Sequence, residues 1–278
     1  MRRFIRYILV LAVVNWIGVS SLAQVINQND PALEGIDIEE HLGDIIPLDV
    51  VLTNDAGKQV ILEKYFNDDK LVILILGYYT CPMLCNLVFN GVTEGIRNLA
   101  WTPGKEYRLL TVSIDPLETV QLAADKKQNY IKSLGRAEVS AGWTYFVAAA
   151  EESKRLADAI GFKYYWDEAN NQYAHAAVIT ILTPEGKISR YLYGIEFKER
   201  DLRLALLEAS EGKIGNTIDR VLLYCFHYDP DAGGYVVLAG NVMKLGGTIT
   251  VVLLVLFLGF WWLRESRRRR VSTGQNKI

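Results

Sequence analysis

The sequence is poor in the side chains that bind soft metals or form cross-links: it has three cysteines, three histidines and three methionines among 278 residues. Three cysteines allow one pair and leave one over, which excludes a disulfide-rich scaffold. The 30 basic and 32 acidic residues leave a net charge of −2 with no basic stripe, so nothing indicates a nucleic-acid partner. There is no internal repeat, which excludes a solenoid or a propeller. Any chemistry must therefore come from a few side chains.

Apolar residues, in contrast, make up half of the chain, enough for one well-filled domain and for membrane segments as well. Residues 1–23 begin with three arginines, continue with an uncharged stretch over 7–19, and end with the small residues Ser21 and Ala23. This pattern predicts a secretory signal peptide cleaved after Ala23. A retained N-terminal anchor is the alternative interpretation. A polar segment, residues 24–43, follows.

The other end of the chain carries a second apolar stretch. Residues 245–263 contain no charge and include Trp261 and Trp262 near their end, and the basic tail 264–278 comes directly after them. Nineteen uncharged residues with interfacial aromatics predict a transmembrane helix, and the arginines that follow it predict a cytoplasmic tail. The domain would then lie in the periplasm of a bacterial-type cell, anchored to the inner membrane by a single C-terminal span.

An unbroken apolar run at residues 71–77 ends shortly before Cys81 and Cys85. The run predicts a buried central strand, and Pro82 predicts the first turn of a helix. Four residues apart on one helix face, the cysteines would have Cα atoms about 6 Å apart, close enough for a disulfide. A helix N-terminus also lowers the pKa of a thiol, and a thiolate is both a nucleophile and a ligand for soft metals. The bland alternative is that both cysteines fill a helix face as small apolar side chains.

The rest of residues 44–215 alternates between strand and helix patterns. Turn residues between 46–51 and 59–62 predict an N-terminal β-hairpin. The cysteine helix is predicted to run to about Ala100. The remaining strands are expected at 107–114, 143–149, 162–166, 175–182 and 188–193, and the remaining helices at 117–134, 151–160 and 199–211. The order predicts an α/β domain with a mostly parallel central sheet.

Four further side chains are candidates for chemistry. Asp115 follows a predicted strand at the sheet edge where sites form, and it is interpreted either as a helix cap or as an acid near the thiols. His175 enters a strand, and it is either a structural histidine or the third donor that paired thiols need. In the connector 216–244, Cys225 and His227 would share one face of an extended segment. They form either a second soft-metal site or part of a buried apolar segment.

Several of these features occur together in one known family. They are Tyr78, Cys81, Pro82 and Cys85 after a strand, the Ser-Ile-Asp-Pro segment at residues 113–116, Gly142 and Trp143, and His175 ahead of a strand that leads into the Leu-Thr-Pro-Glu-Gly segment at residues 182–186. In this combination the chain resembles the Sco/SenC family of copper proteins from about residue 43 to about residue 211. The resemblance implies a thioredoxin-like fold, to which the hairpin is an addition.

The resemblance also implies a function. Copper would be bound by Cys81, Cys85 and His175, with one ion per domain. Thiolates suit Cu(I), and the imidazole lets the site hold Cu(II) as well. The family builds the dinuclear copper site of cytochrome c oxidase subunit II, so that subunit is the expected partner, with another periplasmic copper carrier as a second candidate partner. A copper metallochaperone anchored to the membrane is therefore the first hypothesis.

The chain departs from the family pattern in three places. Leu117, Glu118 and Thr119 stand where a second aspartate is common, Asn86 replaces a common proline, and the anchor is C-terminal. Two other hypotheses stay open. A thiol-disulfide oxidoreductase would use Cys81 and Cys85 to keep the client's cysteines reduced, and a thiol peroxidase would use one thiolate with a resolving partner. His175 separates the first two hypotheses, because a copper site needs it and a dithiol reductase does not.

Overall fold

The computed structural model describes residues 38–66, 68–211, 222–223, 226–229 and 234–274. The predicted signal peptide, most of the polar segment after it and Cys225 lie outside these residues. The strands are β1 (Val51–Asn54), β2 (Gln59–Ile61), β3 (Leu71–Gly77), β4 (Tyr107–Ser113), β5 (Trp143–Val147), β6 (Tyr164–Asp167), β7 (Gln172–His175), β8 (Val178–Leu182), β9 (Ile188–Tyr193), β10 (Phe226–Asp229) and β11 (Gly234–Val237). The helices are α1 (Leu84–Arg97), α2 (Val120–Leu134), α3 (Ala150–Ala159), α4 (Glu199–Ala209) and α5 (Ala239–Gly274).

Seven strands form one sheet in the order β2-β1-β5-β4-β3-β8-β9. The predicted hairpin is confirmed, since β1 and β2 pair antiparallel at the sheet edge. The expectation of a mostly parallel sheet is wrong. Only the β3–β4 and β4–β5 pairs are parallel, and the other four neighbouring pairs are antiparallel. Short turns join β1 to β2 and β8 to β9, and because a short turn reverses the chain, they account for two of these four antiparallel pairs.

Strand β3 is an interior strand of this sheet, next to the central strand β4, and all seven of its residues are buried. Its neighbours are β4 on one side and β8 on the other, with helices packed over the sheet. Because both faces are covered, the strand has no need of polar residues, which explains the unbroken apolar run. Burial of each such side chain contributes roughly 1.5–3 kcal/mol. The strand therefore provides a rigid support for the loop that follows it.

The connections around β3 define the fold class. A β3-α1-β4 unit supplies the parallel half of the sheet, and β8, β9 and α4 supply the antiparallel half. This arrangement confirms the expected thioredoxin-like fold with the hairpin β1–β2 added beyond β5. Helix α1 contacts both α2 and α4. It buries Val88, Phe89, Val92 and Ile96, which recur at helical spacing.

Helix α2 has a defined start and end, which matters for the site described below. The side chain of Thr119 accepts a hydrogen bond from Leu122 N–H at 3.3 Å and caps the N-terminus. Gly135 ends the helix in the left-handed conformation, with φ of 72°, and its N–H donates to Ile131 and Lys132 carbonyls. Glycine adopts this conformation without steric cost. Thr119 and Gly135 therefore define where α2 begins and ends, and this defines the helix from which its side chains project.

The predicted connector contains a hairpin, β10–β11, that packs against α4, and its last residues already belong to α5. The Tyr235 hydroxyl donates to Glu208 at 2.5 Å, and Arg200 donates to the Tyr235 carbonyl at 2.9 Å. Leu238 alone separates β11 from helix α5. Within α5, residues Gly240–Trp262 are long and apolar enough to cross a membrane, somewhat earlier than the predicted span 245–263. The connector is thus attached to the domain by ordered contacts immediately before this helix.

Candidate metal and thiol site

The loop after β3 does not follow the prediction in one respect. Helix α1 begins at Leu84, two residues after Pro82, so Cys81 precedes the helix and shares no helical face with Cys85. The two thiols approach each other because the loop folds back over the helix start. A glycine where the strand ends leaves room for this approach, since a Cβ at Gly77 would lie only 3.2 Å from Cys85 Sγ.

Hydrogen bonds from backbone N–H groups point at both sulfur atoms. Cys85 N–H donates to Cys81 Sγ at 3.2 Å, and Tyr78 N–H donates to Cys85 Sγ at 3.4 Å. The first of these N–H groups belongs to the opening turn of α1, which has no intrahelical partner for it. Cys81 sulfur therefore caps the positive end of the helix. This position favours the thiolate form, as the sequence predicted, although through a different geometry.

His175 reaches the same place from a distant part of the chain. It is the last residue of β7, which pairs with β6 in a two-stranded hairpin separate from the main sheet. Its Nδ1–H donates to the Ala176 carbonyl at 2.9 Å, so Nε2 carries a lone pair that faces the cysteines. Nε2 lies 3.0 Å from Cys85 Sγ. A backbone bond that fixes the tautomer in this way is typical of histidines that bind metals.

Cys81, Cys85 and His175 thus form one cluster, and their donor atoms all lie within 4.8 Å of one another. The residues are 5%, 2% and 3% exposed. In the part of the chain that the structure describes, the predicted convergence of these three residues is observed. Two sulfurs and one imidazole nitrogen at such separations can surround a single ion, and the two sulfurs can also exchange with a disulfide.

The two thiols have pKa values that are shifted in opposite directions. The pKa of Cys81 lies well below its ordinary value, first because Cys85 donates a hydrogen bond to its sulfur, against the opposing effect of burial, and then because His175 and the Cys85 and Met83 N–H groups also interact with the sulfur. Burial raises the pKa of Cys85 above its ordinary value, and the nearby negative charge of Cys81 raises it further. In the metal-free reduced protein, Cys81 therefore carries the charge and Cys85 keeps its proton.

Aromatic rings enclose His175 and the thiols. The His175 ring lies 5.6 Å from the Phe162 ring and 6.2 Å from the Tyr78 ring, between centroids, and Tyr173 packs on Tyr78 at 5.4 Å. Burial raises the pKa of Tyr78, so it remains a neutral phenol. The rings exclude water, which strengthens every electrostatic interaction in the site.

The acid that contacts the loop is Glu118, and the expectation that Asp115 caps the helix is wrong. Asp115 Oδ1 accepts from Leu117 N–H at 2.9 Å in a local turn, and the cap of α2 is Thr119. Glu118 is 8% exposed and accepts hydrogen bonds from the loop that contains Cys81. Sequence reasoning missed it because Glu118 occupies the position where the family pattern is broken. Its only sequence signal is its place after β4, at the sheet edge that also carries the cysteines.

The second pair of candidate ligands in the sequence is Cys225 and His227. His227 is exposed on β10, while Cys225 lies outside the described residues. The pairing of Cys225 with His227 stays a prediction.

The chain matches no family model and no curated protein. It is similar to several solved structures. A candidate electron transfer protein from Aquifex aeolicus VF5 is 27% identical, with a TM-score of 0.55 over 62% of this chain and 96% of that one. ScoI from Arabidopsis thaliana with copper bound is 20% identical, with a TM-score of 0.46 over 61% of this chain and 98% of that one. BsSco, a member of the Sco family of cytochrome c oxidase assembly proteins, is 17% identical, with a TM-score of 0.49 over 63% and 98%.

The chain shares its fold with the Aquifex aeolicus protein. The resemblance seen in the sequence motifs is supported by the site, because the motif residues Cys81, Cys85 and His175 meet beside the end of β3. Two of the departures from the Sco pattern also acquire a structural meaning. Asn86 and Glu118 both contact the loop that carries Cys81.

Proposed function

We propose that this chain is a copper metallochaperone anchored to the membrane. It binds one copper ion through Cys81, Cys85 and His175 and delivers the ion to the dinuclear copper site of cytochrome c oxidase subunit II. The observation that carries the proposal is the convergence of two buried thiols and one buried imidazole, with all donor atoms within 4.8 Å of one another.

The donor set fits copper by its chemistry. Two thiolates are soft ligands that favour Cu(I), and the neutral imidazole nitrogen allows the same site to accept Cu(II). The protonation states of the two thiols also fit metal binding. Cys81 is already a thiolate, so binding displaces a proton from Cys85 alone. Zinc accepts the same ligands, and metal analysis distinguishes the two ions.

The sequence motifs and helix α5 support the choice of client and of cellular compartment. The motifs resemble those of a family that assembles the dinuclear copper site of the oxidase, whose cysteines are soft ligands of the same type. Helix α5 contains a stretch, Gly240–Trp262, that is long enough to anchor the domain, and the arginines after it favour a cytoplasmic tail. In this topology the copper site lies in the periplasm, on the side of the membrane where an exported domain would meet its client.

A thiol-disulfide oxidoreductase is the second candidate function, and one observation favours it. The opposite pKa shifts of Cys81 and Cys85 provide one nucleophilic thiolate and one protonated resolving thiol. The client's cysteines must be reduced before they can accept copper, so both activities would serve the same assembly step. His175 remains the residue that separates them.

Metal analysis of the reduced full-length chain in detergent tests the proposal. We expect one copper ion per chain, and loss of tight binding in Cys81→Ala and in Cys85→Ala. Cys225→Ser is the matched control, because it removes a cysteine outside the cluster. Full retention of copper in either single variant would refute the three-ligand site, as would a preference for zinc over Cu(I). A second copper ion that disappears in Cys225→Ser would instead show that Cys225 and His227 form a site.

A further inference from the structure

One buried carboxylate accepts hydrogen bonds from backbone N–H groups of the loop at residues 79–81. Oε1 of Glu118 accepts from Tyr79 N–H at 2.6 Å, from Thr80 N–H at 2.7 Å and from Thr80 Oγ1 at 3.0 Å. Oε2 accepts from Ser113 Oγ at 2.6 Å, at the end of β4. Each oxygen of this carboxylate is thus satisfied by groups that the fold supplies, as a buried charge requires.

The carbonyl groups of the same loop are held by a lysine. Lys126 projects from α2, is half-buried, and donates to the Tyr79 carbonyl at 2.8 Å. Its Nζ also donates to Asn86 Oδ1 at 2.6 Å, and Asn86 Nδ2 donates in turn to the Cys81 carbonyl at 2.8 Å. The lysine therefore reaches one carbonyl of the loop directly and a second through Asn86.

These contacts occur where helical hydrogen bonds are missing. Cys81 precedes α1, so no helical carbonyl or N–H fixes its own backbone. Its sulfur must nevertheless stay within reach of Cys85 Sγ and His175 Nε2. Glu118 and Lys126 have opposite charge and hold opposite groups of the loop, the N–H donors and the C=O acceptors. They restrain its rotation as well as its position.

We propose that Glu118 and Lys126 are positioning residues that hold the loop of Cys81 in the geometry needed for ligand convergence. Neither residue contacts the donor atoms. Each acts through the backbone of residues 79–81. Lys126 does so from α2, and Glu118 does so from the segment that precedes α2. The proposal rests on the proposed function only in its choice of copper as a probe, since the loop restraint would serve disulfide exchange equally well.

The test compares Glu118→Ala, Glu118→Gln and Lys126→Met with two controls in the full-length chain in detergent. Glu208→Ala removes a carboxylate that pairs with Arg190 and Tyr235 instead of the loop, and Lys132→Met removes an exposed lysine of α2. The measurements are Cu(I) affinity by competition with a chelator and exchange of the Tyr79 and Thr80 amide hydrogens. Removal of residues that orient ligands typically costs about 10- to 100-fold in metal affinity.

We expect Glu118→Ala and Lys126→Met to lose about 10- to 100-fold in Cu(I) affinity, while both controls keep the wild-type affinity. Amides of Tyr79 and Thr80 should lose protection in Glu118→Ala, while those of β3 keep it. Glu118→Gln keeps an oxygen for the two N–H groups, so it should retain protection and most of the affinity. This rescue would not occur if the charge alone mattered.

Unchanged affinity with protected Tyr79 and Thr80 amides in folded Glu118→Ala would overturn the proposal, as would equal losses in the controls. If Glu118→Ala does not fold, the Cu(I) affinity of Lys126→Met relative to Lys132→Met decides, because Lys126 holds the carbonyl groups of the loop and not its amides. A wild-type chain that binds no Cu(I) would refute the proposed function instead. The amide exchange, together with the alkylation rate of Cys81, would then still test the loop restraint.

Discussion

Cys85 Sγ and His175 Nε2 lie 3.0 Å apart although 90 positions separate the two residues in the chain. Cys85 is fixed by α1, and His175 is fixed by β7 and by its bond to the Ala176 carbonyl. Both are buried, so the two donors hold their relative position without an ion. A preformed pair loses little conformational freedom on binding, which favours affinity.

The first prediction uses His175→Ala, because this residue is the one that the two candidate functions do not share. Losing the only imidazole should largely abolish Cu(II) binding, while two thiolates still hold Cu(I) weakly. Disulfide exchange should survive, since Cys81 and Cys85 remain. In cells at low copper, oxidase assembly should fail and added copper should restore part of it. His227→Ala, at an exposed position of β10, is the control.

Normal assembly at low copper in the His175→Ala strain, together with failure in Cys81→Ala, would contradict the chaperone function and leave the reductase. Failure of the His227→Ala strain would instead indicate that the second predicted site, Cys225 and His227, takes part in assembly.

The second prediction concerns the pH dependence of thiol alkylation in the reduced, metal-free protein. An ordinary thiol, with a pKa of about 8.5, reacts about tenfold more slowly for each pH unit below that value. Because the folded-state pKa of Cys81 is lowered, its thiolate persists below neutrality. We expect its alkylation rate to stay nearly constant over about pH 6–8 and to fall only in acid. Cys85, whose pKa is raised by burial, should not react.

Mass spectrometry of the alkylated peptides assigns the two rates. A Cys81 rate that rises tenfold per pH unit through neutrality would show that its pKa is not lowered. The lowered pKa of Cys81 also makes the free energy of unfolding depend on pH. Its contribution is present above the pKa of the unfolded thiol and is lost as the pH falls through the folded-state value.

The third prediction tests the packing that orients α1. A Cβ at Gly91 would lie 2.0 Å from the Ile195 carbonyl oxygen, which belongs to the backbone and cannot turn aside. Helix propensity favours alanine over glycine by about 1 kcal/mol, but overpacking against backbone costs about 1–3 kcal/mol or more. We therefore expect Gly91→Ala to lower the free energy of unfolding, as measured by denaturant titration. Asn90→Ala, at an exposed position of α1, should leave it unchanged or raise it slightly.

If Gly91→Ala were as stable as Asn90→Ala, the close approach of residues 195–197 to α1 would be wrong.

The fourth prediction concerns topology. The apolar stretch of α5 is followed by the arginines of the tail, and positive charge favours the cytoplasmic side. A reporter fused after Ile278 should therefore be cytoplasmic, and one inserted in an exposed turn of the domain, such as residues 168–171, should be periplasmic. A periplasmic signal from the fusion at Ile278 would reverse the orientation.

The sequence by itself determined the elements whose patterns are local. The apolar run of β3, the turn residues of the β1–β2 hairpin and the amphipathic spacing of α1 and α4 all lie within a few residues of the structure they specify. The uncharged stretch of α5 was equally readable. Periodicity and turn chemistry act over short distances along the chain, and one sequence suffices to see them.

Only the tertiary structure decided how the site is built. The fold brings His175 to Cys85 through a small hairpin outside the main sheet, places Cys81 ahead of the helix, and turns Glu118 toward the loop where Asp115 was expected. It also makes the sheet mixed. These outcomes depend on which segments pack together and on where buried polar groups find partners across the chain. Such partners are chosen by three-dimensional packing and by hydrogen-bond satisfaction, for which the order of residues carries no local signal.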